Sequence, residues 1–118
     1  MNVIRKPENG KSFVEYATRG TKISFNDGEI SADLQKKERD DEVKIDICKD
    51  YLDELVFGTS GARIYVAQIV IPARRYTDTE IENPDYDPED EQSQPTITVH
   101  EPVPFSMDNV ELTLYEEV

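Results

Sequence analysis

The chain has 118 residues, 33% of them charged and 36% hydrophobic, and its 26 acidic side chains against 13 basic ones give a net charge of −13. That length supports one domain, read as spanning 1–118. The acid excess excludes the electrostatic footprint of a direct nucleic-acid binder, which needs cations to displace phosphate counterions, and it disfavours an anionic membrane surface.

Leu, Ile, Val and Phe supply 29 of the 118 residues, above the roughly one-fifth below which highly charged chains stay disordered. No apolar run approaches the ~20 residues of a membrane span, and the first twenty residues lack the apolar stretch of a secretory leader. The single cysteine, Cys48, excludes an internal disulfide framework and fits a reducing compartment. A cytoplasmic protein is therefore expected, or a virion-associated one.

Residues 1–20 carry few signals and are read as an extended or partly ordered arm. Asn9-Gly10 is a turn, and Phe13, Val14 and Tyr16 suit the start of a strand. A hairpin follows. Residues 21–25 and 29–34 alternate about Asn26-Asp27-Gly28, whose residues tolerate the positive φ that a tight turn demands. Ile23, Phe25, Ile30, Ala32 and Leu34 fall on its apolar face.

Residues 36–42 are wholly charged and suit a solvated tip, with a helix over 35–41 as the competing reading. Val43, Ile45 and Ile47 then alternate with polar neighbours, predicting a third strand of a meander. Residues 50–57 predict a short α-helix: Asp50 can cap it, Tyr51, Leu52, Leu55 and Val56 share a face, and Gly58 suits its left-handed end. Residues 63–71 are apolar on both faces, the pattern of a central strand, and Pro72 marks the exit.

Eight acidic residues lie between Asp78 and Glu91 with no Lys or Arg among them, and Pro84, Pro88 and Pro95 punctuate the same stretch. Like-charge repulsion and proline argue for a mobile loop over 78–95. That loop carries −8, leaving only −5 for the other 100 residues. Residues 96–100 predict a short strand, 101–104 a polyproline-like connector, and 109–115 a closing strand with Val110, Leu112 and Leu114 inward. The sum is a mainly β fold, a sandwich or partly open barrel with one short α-helix near residues 50–57; α+β is the alternative.

Chemistry-bearing motifs are sparse. Cys48 and His100, each unique, could in principle pair as nucleophile and base, but both end alternating strands. Gly58-Thr59-Ser60-Gly61 follows a predicted helix and precedes a strand, the reverse of a phosphate loop. Asp85, Asp87 and Glu89 match the start of a calcium loop, yet Asp90 stands where glycine is required and Thr96 where a bidentate glutamate is required. No catalytic residue, metal ligand or cofactor is assigned.

Partner contacts are the better expectation, at Arg74, Arg75 and Tyr76 after the central strand, and at Asp85 and Asp87 in the acidic stretch. Thin apolar content and a doubly apolar strand fit a non-enzymatic protein-interaction or assembly module that self-associates as a homo-oligomer, a build frequent in phage-type structural proteins. The alternative is an acidic inhibitor or nucleic-acid mimic that binds a basic protein surface.

Overall fold

Alternating apolar and polar residues favour strands, and in the computed structural model 49% of the described residues are strand and 6% helix. Residues 1–117 are described. The strands are β1 (Asn2–Lys6), β2 (Tyr16–Arg19), β3 (Lys22–Phe25), β4 (Ile30–Asp33), β5 (Val43–Asp50), β6 (Leu55–Phe57), β7 (Ala62–Ile71), β8 (Tyr76–Glu82), β9 (Thr96–Pro102) and β10 (Glu111–Tyr115). One helical turn, α1 (Leu34–Lys37), follows β4, and a 3₁₀ turn at Met107–Asn109 precedes β10. The fold is mainly β with open sheets, not a closed barrel. Among the described residues no helix is long and apolar enough to cross a membrane.

The chain forms two compact units, Met1–Ala73 with the segment from Phe105 onward, and Arg74–Pro104. The first contains a five-stranded sheet in the order β1-β10-β7-β5-β6 and a three-stranded sheet in the order β2-β3-β4. β1 runs parallel to β10, and every other pairing is antiparallel. Within residues 1–20, expected as an extended or partly ordered arm, β1 forms one edge of the larger sheet and β2 one edge of the smaller.

Period-two alternation places Val43, Ile45 and Ile47 of β5, Ala67, Ile69 and Ile71 of β7, and Leu112 and Leu114 of β10 on one face. They join Ile23, Phe25 and Leu34 from the smaller sheet and its following turn in a single apolar cluster. β7 is central, as expected, but a bulge doubles Val66 against β5 between the pairs Ile47–Ala67 and Cys48–Tyr65. Strict alternation therefore fails there: Val66 and Ala67 both belong to the core while Tyr65 sits opposite Cys48 on the other face.

In the first unit the predicted helix and the predicted meander are corrected. Residues 50–57 do not form a helix. Asp50 accepts amides as a cap would, from Leu52 at 2.8 Å and Glu54 at 3.0 Å, but the chain reverses and β6 pairs back on β5. A two-turn helix is marginal in water, whereas the strand buries Leu55 and leaves Tyr51 and Leu52 at the tip, 77% and 78% exposed. The one α-helical turn lies instead at Leu34–Lys37, with the Asp33 side chain accepting from the Gln35 amide. The meander is also different. β5 joins the larger sheet, and β2 supplies the third strand beside β3 and β4, because α1 and the charged residues after it carry the chain away from β4.

The second unit is a two-stranded ribbon of β8 and β9 in register from Tyr76–Pro102 to Glu82–Thr96. The acidic loop expected over 78–95 is thus shorter. Residues 78–82 are strand and only 83–95 form the connection, while the connector expected at 101–104 begins inside β9, which reaches Pro102.

Candidate functional site

The ribbon's two faces differ in kind. Alternation along β8 (Tyr-Thr-Asp-Thr-Glu-Ile-Glu) sends Asp78, Glu80 and Glu82 to one face and Thr77, Thr79 and Ile81 to the other. β9 continues the division. His100, Thr98 and Thr96 stand opposite the three carboxylates, whereas Glu101, Val99 and Ile97 stand opposite Thr77, Thr79 and Ile81. Every residue of β8 is exposed, and in β9 only Val99 is half-buried. Ile81 and Ile97, directly paired across the strands, are 45% and 40% exposed.

On the acidic face His100 Nδ1 lies 2.6 Å from Asp78 Oδ1, and the imidazole stacks on the Tyr76 ring with centroids 4.2 Å apart and planes 14° from parallel. Tyr76, expected as a partner contact, is thereby fixed by the ribbon. Arg75 gives its carbonyl to the Val103 amide at 2.8 Å and closes the open end, and Arg74 precedes it. Asp85 and Asp87 lie at the other end, in a run of tight turns. The Asp85 amide donates to Asn83 Oδ1, the Glu89 amide to Asp87 Oδ1 and the Gln92 amide to Asp90 Oδ1. These side chains order the loop by satisfying backbone donors, as Asx turns do. Among the described residues no group of three His, Cys, Asp or Glu side chains is placed to hold a metal ion.

The first unit holds polar features that sequence reading did not single out. Glu29 reaches from the β3–β4 turn to accept the Leu55 amide at 2.6 Å and the Asn26 side-chain amide at 2.7 Å, and the Leu55 bond above all holds its carboxyl below the usual range. Asp33 is lowered too, chiefly by the Thr21 hydroxyl at 2.8 Å and then by the Gln35 amide. The Leu55 amide, 26 residues away, decides Glu29's role, and sequence spacing does not reveal that contact. A cleft of about 370 Å³ lies among Ser31, Ala32, Asp33, Lys37, Ile45 and Phe57, with its one carboxylate already committed to Thr21 and Gln35.

Lys49, opposite Leu55 across the strands, pairs with Glu117 at 2.7 Å; on the outer face of the larger sheet Gln68 donates to Asp46 at 3.1 Å and Tyr65 meets Tyr115 edge to face. Cys48 is fully buried there, and desolvation, helped by Asp46, pushes its thiol up. A raised, buried thiol is a poor nucleophile, and His100 belongs to the ribbon, the other unit.

A scan of protein-family models, a search of curated proteins and a search of solved structures each return no match.

Proposed function

We propose that the chain is a non-enzymatic protein-interaction or assembly module that self-associates in the cytoplasm or on a virion, with the β8–β9 ribbon as its contact element. One observation carries the reading. The ribbon is a two-stranded sheet with no buried residue, and such a sheet is marginal in water until something covers it. Exposed Ile81 and Ile97, paired near its loop end, are a sheet's core residues without a core. Sedimentation velocity over a concentration series tests the reading, with growth of the sedimentation coefficient expected and a strictly constant monomer value refuting self-association.

The second reading is an acidic inhibitor that occupies a basic protein surface. It is favoured by Asp78, Glu80 and Glu82, which stand on a strand at a repeat of roughly 6.6 Å. Fixed spacing is what a mimic of a phosphate backbone needs. The two readings respond oppositely to salt: a pair of chains each carrying −13 associates more strongly as salt screens repulsion, whereas an acid–base complex weakens.

A further inference from the structure

We propose that the free edge of β4 takes up an extended peptide as an added strand, in the cleft walled by Ile45 and Phe57, and that this peptide alternates apolar residues and carries an acidic one. The site lies in the first unit, away from the ribbon, and needs no self-association. Pairing register exposes the edge. The Leu34 amide donates to the Thr21 carbonyl at 2.9 Å, so in the antiparallel β3–β4 ladder Ile30 and Ala32 also bond to their partners, while Ser31 and Asp33 turn their main chain away from β3. β4 is an edge strand. Ser31 therefore offers both its N–H and its C=O outward, and Asp33 its N–H, the Asp33 carbonyl being the one that opens α1 as N-cap. Two donors and an acceptor along one strand edge are the groups that the main chain of another strand recognises.

The opposite wall is the open edge of the larger sheet. The Gly58 amide donates to the Asp46 carbonyl at 2.8 Å, and the same alternation turns Leu55 and Phe57 of β6 away from β5. Glu29 reaches across from the β3–β4 turn and accepts the Leu55 amide at 2.6 Å. At that end of the gap a carboxylate thus stands where the carbonyl of a neighbouring strand would. Two residues further along each segment, Ser31 and Phe57 line the cleft of about 370 Å³. That is the size of a ligand cleft, room for a short length of extended chain and not for a second sheet.

Side chains define the guest. Ala32 and Ile45 are half-buried and Phe57 is 46% exposed, so alternate side chains of an added strand meet apolar surface. Asp33 and Lys37 are the charges of the lining. The Asp33 carboxylate is committed to the Thr21 hydroxyl and the Gln35 amide, whereas Lys37 has no ion-pair partner among the described residues. In a chain of net charge −13 this leaves one local positive charge beside the edge, which favours an acidic guest over a basic one. Three main-chain hydrogen bonds and a small apolar contact give weak binding, with a Kd on the order of 0.1–1 mM.

Amide NMR of the full chain is the test, with the capped peptide Thr-Val-Thr-Val-Thr-Glu added to about 1 mM. The Ser31 and Asp33 amides move downfield as they gain acceptors, and by more than the Ala32 amide, which is already bonded to Ile23. Methylating the peptide nitrogens at alternate residues separates main-chain pairing from apolar contact. The set that faces β4 weakens binding roughly fivefold or more beyond the other set, the loss expected for a hydrogen bond. Replacing the peptide's Glu by Lys weakens binding to the wild type about threefold, and Lys37→Glu reverses that preference. Unmoved Ser31 and Asp33 amides, equal losses from the two methylated sets, or a Glu preference that survives Lys37→Glu each overturn the proposal. Amides of Ser31 and Asp33 that move with protein concentration alone assign the edge to a second copy and overturn it too.

Discussion

The two units are built from the same element, the antiparallel strand pair, with opposite results for burial. In the first, β5, β7 and β10 lie against the smaller sheet's Ile23 and Phe25, and Ile47, Ile69 and Leu112 reach full burial. In the second, β8 and β9 pair over seven residues and bury nothing fully. Composition explains the contrast. Residues 74–104 hold four of the 29 Leu, Ile, Val and Phe and carry −7, while the remaining 87 residues hold 25 and carry −6. A hydrogen-bonded ladder does not by itself make a core; a second layer of apolar side chains does.

The largest effects belong to the covered unit. Phe25→Ala, at a fully buried ring, is expected to destabilise by about 3–5 kcal/mol, and Ile69→Ala by about 2–5 kcal/mol, as measured by urea unfolding. Cys48 reports the same core chemically. Its thiol is fully buried and its ionisation suppressed, so an aromatic disulfide reagent reacts orders of magnitude more slowly with the native chain than with the chain in denaturant. Rapid reaction under native conditions would show that the outer face of the sheet opens locally.

Much of the covered unit is legible in sequence because its signals are local. Asp27-Gly28 fixes the β3–β4 turn, where Asn26, Asp27 and Gly28 all adopt positive φ, and β7 announces itself by carrying apolar residues on both faces. The errors arise where the deciding contact is remote. Asp50 is an equally good acceptor for a helix cap or a hairpin turn, and the choice is settled by β5 pairing and by Glu29, 26 residues from Leu55. A bulge such as that at Val66 is invisible to alternation, since it needs a partner strand to define it. In the ribbon the alternation of Thr77, Thr79 and Ile81 is masked by the intervening acids and the nearby prolines, because a solvated strand and a charged loop read alike until the partner strand is placed beside them. Among the expected contact residues, Tyr76 stacks on a ring of the ribbon, a contact that requires the β8–β9 register to bring His100 alongside.

Asp50→Ala should cost about 1 kcal/mol, the usual consequence of stranding amides that a side chain had capped, and a lowered urea midpoint with unchanged slope would report it. Acid probes the remote latch. Glu29 and Asp33 are both depressed in the fold, the first mainly by the Leu55 amide and the second mainly by the Thr21 hydroxyl. The unfolded chain therefore binds more protons in the window between the unfolded and the lower folded values. Their contribution is complete above the unfolded values, near pH 4, and is lost as pH falls through the folded ones. Glu29→Gln should remove part of that acid sensitivity, measured as a flatter melting temperature between roughly pH 5 and pH 2. An identical pH profile for the variant would mean that the Leu55 bond does not discriminate between the two protonation states.

The smallest expected effect sharpens the comparison most. Ile81→Ala removes as many atoms as Ile69→Ala, from the same type of antiparallel strand. At 45% exposure and with no full burial around it, however, Ile81 leaves no cavity behind. In dilute solution its removal should change the stability of the first unit by no more than ~0.5 kcal/mol. At concentrations where the chain self-associates, the same substitution should lower the apparent stability relative to wild type, because a contact made only in the associated state adds to the folded side by mass action. A stability change for Ile81→Ala near that of Ile69→Ala at every concentration would contradict this. It would mean that the ribbon's isoleucines already have their covering layer within a single chain.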